Sequence, residues 1–318
     1  MLDINLALPW VSFCISTYKR PEFLSTQIAL LLKQIEPNFE IVISDNDPDQ
    51  SAGAVARSFP DKRIRYFPNE ENMGMIRSFN KSIDRATTEY ITMVTDDDPI
   101  EATFLQTMKK LVVEYPGYSL YGGFIRSGKE EGSVERINSK LFLEEIIDPS
   151  RTASILWSSC ILKRSDAILI GKIPDYGSPH LADHALMAMT GGINGGVIIN
   201  RMYSSLTQHE QNFSKLNLET YITGCEGFYK TLLRHIGQNN LSRNSKVAVN
   251  RHLYRWFISC IFNLKRYYTI KGDTKMLSHV NESAEKILSF PFMTGVKAKF
   301  ILKTWMLYLK KKSGLLKA

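Results

Sequence analysis

Hydrophobic and polar positions in the first third of the chain fall into alternating blocks of two different periods. Trp10 to Ser16 is an uncharged run rich in aromatic and β-branched residues and reads as a strand. Pro21 then opens a segment in which Phe23, Ile28, Leu31, Leu32 and Ile35 share one helical face. Glu40 to Ser44 is a second strand, closed by Asp45-Asn46-Asp47-Pro48-Asp49. A short helix is expected from Ala52 to Phe59, and a third strand from Ile64 to Phe67. After a turn at Asn72-Met73-Gly74, the helical period returns from Met75 to Ala86, with Ile76, Phe79 and Ile83 on one face. Tyr90 to Val94 is a fourth strand, and Asp96-Asp97-Asp98-Pro99 ends it. Strands joined by crossover helices imply a parallel sheet with right-handed connections. In such a sheet the polar clusters after the first, second and fourth strands emerge on one edge, where open α/β sheets bind ligands.

The middle of the chain is less regular. Tyr118 to Ile125 and Trp157 to Leu162 read as strands around a polar stretch, Ser127 to Gly132. Asp175 to Pro179 is a loop, Leu181 to Thr190 a helix ended by Gly191-Gly192, and Val197-Ile198-Ile199 a strand. Strand signals stop near Phe213 to Asn217, and longer helical periods follow. The expected organisation is therefore an α/β domain over residues 1–215 and a helical region over 216–318, without internal repeats.

Composition adds a charge asymmetry. The 318 residues are 44% hydrophobic and 23% charged, in the range of a globular protein, with a net charge of +8. From Arg251 onward the only acids are Asp273, Glu282 and Glu285, while lysine and arginine recur, which points to an anionic partner surface. Membrane fits better than nucleic acid, for which the segment carries no reading motif. In a helix from Lys297 to Lys312, Lys299, Lys303 and Lys310 form one stripe and apolar residues cover nearly everything else. Such a helix either packs into a bundle or lies in a membrane interface. The four cysteines are scattered in apolar settings, as buried free thiols would be. No signal-peptide pattern opens the sequence and no apolar run is long enough to span a bilayer, so a cytoplasmic location is expected, peripheral on the inner membrane face if the basic helix binds lipid.

The three adjacent aspartates admit two readings. Neighbouring carboxylates repel one another, and a divalent cation shared with a phosphate relieves that repulsion. Alternatively, they form a solvated turn that caps a helix starting near Glu101.

Four pieces together resemble the inverting family-2 glycosyltransferases of the GT-A fold, a Rossmann-like, mostly parallel sheet flanked by helices. These are Val11 to Leu24, Glu40 to Asp49, Asn72 to Ala86 and Glu89 to Pro99. The resemblance is strong over the first third, weak to about Ser214, and absent from the C-terminal region. It implies that Thr17, Tyr18, Arg20, Asp45, Arg77 and Asn80 bind a nucleoside-diphosphate sugar, with Asp45 accepting from the base. Asp96-Asp97-Asp98 is similar to the D-x-D motif of that family, with Asp96 on the ribose and Asp98 on Mn²⁺ or Mg²⁺; a shifted frame would begin the motif at Asp97. His209, in Gln208 to Ser214, matches a late histidine near the metal. Asp183, at the start of a helix after the D-x-D strand, matches the general base, with Asp175 and His184 as reserves; Ala182 replaces the Glu that usually precedes it.

The implied activity is metal-dependent, inverting transfer of a sugar from a UDP-linked donor to a glycan or lipid-linked glycan, in synthesis of a bacterial-type surface polysaccharide. A sugar-nucleotide-binding or scaffold protein with a decayed site is the competing expectation. The chain has no Gly-x-Gly-x-x-Gly after its first strand, no P-loop and no nucleophile elbow. A sugar-nucleotide pyrophosphorylase would need a glycine-rich loop where Ser16 to Arg20 stands.

Overall fold

The computed structural model describes residues 8–207 and 218–313, and the chain separates into two compact units. The first takes in the described residues up to Ile146, Ser150–Asp175 and those from Ala182 to Thr207. The second comprises Ile147–Pro149, Tyr176–Leu181 and the described residues from Leu218.

The chain opens with β1 (Val11–Thr17), α1 (Pro21–Leu31), β2 (Phe39–Asp45), α2 (Gly53–Ser58), β3 (Ile64–Pro68), α3 (Met75–Arg85) and β4 (Tyr90–Val94). It continues through α4 (Phe104–Glu114), β5 (Leu120–Gly123), β6 (Ile125–Arg126), β7 (Val134–Ile137), α5 (Ser139–Ile147), β8 (Thr152–Ser154), β9 (Cys160–Lys163), α6 (Arg164–Leu169), α7 (Ala182–Asn194) and β10 (Gly196–Ile199). An eight-stranded sheet has the order β3-β2-β1-β4-β9-β5-β10-β7. β1 to β4 run parallel, as do β5 and β10, while β9 and β7 run against their neighbours. The expected mostly parallel α/β sheet is therefore present.

The register of the central strands brings their polar ends level. Thr17 lies opposite Asp45 on one side of β1. On the other side Val11 pairs with Tyr90 and Ile15 with Val94, which carries Thr17 level with Asp96. The middle strands are buried on both faces: Phe13, Ile15, Ile41, Ile43, Ile91 and Val94 are at most 1% exposed. Each such side chain contributes about 1.5–3 kcal/mol through burial.

Several local expectations change. Ile35 lies beyond the end of α1 and is exposed, so Leu24, Ile28 and Leu31 make the buried stripe. The apolar run from Trp157 is a 3₁₀ turn through Ser159 before it becomes β9. Ser159 turns the chain there, its hydroxyl donating to Gly123 O (2.8 Å) and accepting from Tyr203 N (2.9 Å). The run from Tyr118 splits into β5 and β6, the latter pairing with β8 in a separate small sheet. Gly191-Gly192 does not end α7. A Cβ at Gly191 would come within 2.1 Å of the Phe142 ring, so this glycine serves close packing, and Gly195 at φ +79° follows the helix end.

The second unit is helical: α8 (Leu218–Gln238), α9 (Arg243–Phe257), a π-helical turn (Ile258–Phe262), α10 (Asn263–Lys271), α11 (Thr274–Ser289) and α12 (Thr294–Lys312). Gly272 at φ +74° closes α10, and the Asp273 carboxylate caps α11 by accepting from Met276 N at 3.0 Å. Phe228, Leu232, Leu253, Phe257, Ile261 and Ile287 are fully buried in this unit. α12 begins three residues before the expected Lys297, and only Phe300 and Leu307 of its large side chains are buried. Among the described residues no helix is long and apolar enough to cross a membrane.

Candidate active site

Asp96, Asp97 and Asp98 leave the C-terminal end of β4 beside the end of β1. Thr17, 2% exposed, donates its hydroxyl to Asp96 Oδ2 at 2.8 Å. The next residues turn sharply, with Lys19 in the left-handed region at φ +54°. That turn sends Arg20 back along the sheet edge. Its Nε meets Asp96 Oδ2 at 3.2 Å, Nη2 meets Asp96 Oδ1, and Nη1 meets Asp97 Oδ2 at 3.1 Å. The guanidinium also lies 5.2 Å from the centre of the Phe23 ring. Burial opposes the Arg20 cation, but the two carboxylates outweigh it and hold its pKa above the ordinary value. Burial likewise pushes Asp96 upward, against the hydrogen bonds from Arg20 and Thr17.

Asp98 is held separately. Its Oδ2 accepts from Thr95 Oγ1 at 2.8 Å and its Oδ1 from Thr207 N at 2.9 Å. Burial raises its pKa, and the charges of Asp97 and Asp96 add to that rise. Of the two readings of this turn, the capping one fails: α4 starts only at Phe104 and its N-cap residue, Thr103, makes no side-chain capping bond.

The other sequence candidates are distributed unevenly around this edge. Tyr18 is 42% exposed, and Lys19 Nζ lies 5.6 Å from the centre of its ring. Asp45 is wholly buried, and its carboxylate accepts from Asp47 N (3.0 Å), Ala52 N (3.3 Å) and Tyr66 Oη (2.7 Å). Through these bonds Asp45 braces the turn after β2. Asn80 is likewise committed, donating to Ile173 O (2.9 Å) and accepting from Ile173 N (3.0 Å), so it pins a loop. Arg77 pairs with Asp175 at 2.9 Å on the surface, which also engages the reserve base. His209 lies outside the described residues.

Asp183 stands in the first turn of α7, where an acid is favoured by the helix dipole. His184 Nε2 is 3.7 Å from its Oδ2. β9 runs antiparallel to β4 with Ile91 opposite Leu162, so Cys160 falls at the end of β4 that carries the aspartates. Burial raises the Cys160 thiol, and the Asp183 charge adds to that rise.

Sequence reasoning missed a brace between two turns. Asn46 Nδ2 donates to Asn72 Oδ1 at 2.7 Å and its Oδ1 accepts from Met73 N at 3.1 Å, joining the end of β2 to the turn before α3. Both asparagines sat in recognised polar turns, but nothing in their spacing paired them.

As a donor set, hard carboxylate oxygens suit Mg²⁺ or Mn²⁺, which proteins commonly hold with one or two carboxylates completed by substrate phosphates. Among the described residues no group of three acids, histidines or cysteines converges to make a site by itself. Asp96, Asp97 and Asp98 bring hard carboxylate donors of that kind together at the end of β4.

Comparison with known proteins bears on the family and on the fold. The sequence profile of Glycosyl transferase family 2 matches residues 12–170. Glycosyltransferase GlyG of Streptococcus pneumoniae is 26% identical over 125 residues, 39% of this chain and 42% of that protein. The GalNAc(5)-diNAcBac-PP-undecaprenol beta-1,3-glucosyltransferase of Campylobacter jejuni is 28% identical over 136 residues, 42% of this chain and 43% of that protein. The chain thus spans less than half the length of these relatives. In structure, S. aureus TarS 1-349 in complex with UDP-GlcNAc superposes with a TM-score of 0.65 at 14% identity, covering 96% of this chain and 92% of that one. The mannosyltransferase PcManGT of Pyrobaculum calidifontis, in complex with GDP-Man and Mn²⁺, gives 0.58 at 14% identity, covering 96% and 87%. These likenesses establish the expected GT-A fold.

Proposed function

Because the chain belongs to glycosyl transferase family 2, we propose that it transfers a sugar from a UDP-linked donor to a hydroxyl of a glycan or lipid-linked glycan, with inversion. The observation that carries this reading is the meeting of Thr17, Arg20 and Asp96 to Asp98 at the ends of two adjacent parallel strands. The UDP-GlcNAc and UDP complexes of TarS favour uridine over the guanosine of PcManGT. The undecaprenol-linked substrate in the name of the Campylobacter relative favours a lipid-linked acceptor and surface-polysaccharide synthesis.

In this mechanism Tyr18 offers its exposed ring to the base. Asp96, oriented by Thr17 and Arg20, accepts from the ribose. Asp98 would hold Mn²⁺ or Mg²⁺, whose positive charge would offset the negative charge building on the departing diphosphate. Asp183 takes the proton from the acceptor hydroxyl as its oxygen bonds to the anomeric carbon and the bond to the diphosphate breaks. One displacement gives inversion without a covalent enzyme intermediate.

α12 gives this activity a place. Ile301, Leu302, Trp305, Met306, Tyr308 and Leu309 are 41–63% exposed and occupy one arc of the helix, facing away from the side that buries Phe300 and Leu307. Lys299, Lys303 and Lys310 border the arc, and no acid follows Glu285. This pattern suits a helix lying in the interface of an anionic membrane leaflet, near a lipid-linked acceptor.

The deciding experiment is a thermal-shift screen of UDP, GDP and their sugars with and without Mn²⁺, followed by donor hydrolysis. Stabilisation by UDP and slow metal-stimulated hydrolysis are expected. Binding without any hydrolysis would instead favour a sugar-nucleotide binder.

A further inference from the structure

Arg20 bridges Asp96 and Asp97, the two carboxylates beside Asp98. Resting on the donor-site reading above, we propose that Arg20 is an internal counter-ion that masks the acidic end of β4 until the donor arrives, so that a divalent metal enters with the diphosphate and not before it. Both Asp96 oxygens are occupied by its fork, one of them shared with the Thr17 hydroxyl, and the same guanidinium reaches Asp97. A dication approaching Asp98 by itself meets a fixed positive charge already bonded to the two neighbouring carboxylates. Like-charge repulsion opposes its entry, and the carboxylates have little negative potential left to offer.

The arrangement is built rather than incidental. Lys19 holds the left-handed backbone that folds Arg20 back, Phe23 supports the guanidinium face, and Pro21 starts α1 directly after it. Arg20 is only 23% exposed, against 1% and 11% for the Asp96 and Asp97 side chains. An arginine suits this task because its planar fork can bridge two carboxylates and does not lose its charge. A diphosphate changes the balance: it brings negative charge for both the metal and the guanidinium, so the two cations can share one site.

Mn²⁺ binding to the full chain, followed by electron paramagnetic resonance at pH 8, tests this. Wild type is expected to bind Mn²⁺ alone only in the millimolar range, and Arg20→Ala about tenfold more tightly. Arg20→Lys, which keeps the charge, should stay near wild type. Equal Mn²⁺ affinity of wild type and Arg20→Ala overturns the proposal. So does micromolar binding of Mn²⁺ alone by wild type, a measurement that decides the matter if Arg20→Ala fails to melt cooperatively. UDP titrations run beside these separate the two readings: failure of UDP to bind either protein removes the donor reading, while the metal-alone comparison still judges Arg20.

Discussion

Thr17 donates its hydroxyl to Asp96 across 2.8 Å and 79 positions of sequence, and the parallel register of β1 and β4 is what brings them level. Thr17→Val keeps the β-branched shape and removes the donor. UDP affinity, measured by calorimetry, should fall about tenfold, the cost of one hydrogen bond to a charged group. Thr17→Ser should recover most of it. Unchanged affinity in Thr17→Val would separate this pair from the donor site.

Asp98 and Asp183 are expected to fail in different ways. Asp98→Asn preserves the shape that meets Thr95 and Thr207 but loses the charge, so metal-stimulated transfer should vanish while the melting temperature stays within a few degrees. Asp183→Asn should bind UDP like wild type and lose about 10²–10⁴-fold in transfer rate. Retained turnover in Asp183→Asn would move the base elsewhere.

Asn80 separates structure from binding. Asn80→Ala deletes two bonds to the Ile173 backbone and should cost about 1–3 kcal/mol in urea denaturation. Calorimetry should find UDP affinity within about twofold of wild type.

α12 can be tested by deletion. Removal of residues after Thr294 should weaken sedimentation with vesicles containing anionic lipid, and added salt should weaken binding of the full chain. Equal sedimentation of both proteins would defeat the membrane reading.

His235 gives a pH dependence. It is buried, its Nε2 has no hydrogen-bond partner among the described residues, and burial lowers its pKa below 6.5. The unfolded chain therefore binds the proton first as pH falls. Stability is fully present above the unfolded value and declines from about pH 6.5 toward the lower folded pKa. His235→Leu should flatten that part of the stability curve in chemical denaturation across about pH 7 to 5. A slope equal to wild type would assign the dependence to other groups.

The sequence by itself determined the elements that carry the sheet and the edge on which the aspartates emerge. Alternating periods locate β1 to β4 and the helices between them, and parallel crossovers leave one end of the strands for the polar clusters. Local patterns could say this much because backbone geometry and hydrophobic burial act over a few residues at a time. Only tertiary structure decided what each polar side chain does. Asp45 takes bonds from the backbone of its own turn and from the Tyr66 hydroxyl, Asn80 pins the distant backbone of Ile173, and Arg20 is shared between two aspartates far along the chain. Hydrogen-bond capacity is finite and is allotted by distances between strands and loops, which no spacing along a single sequence records.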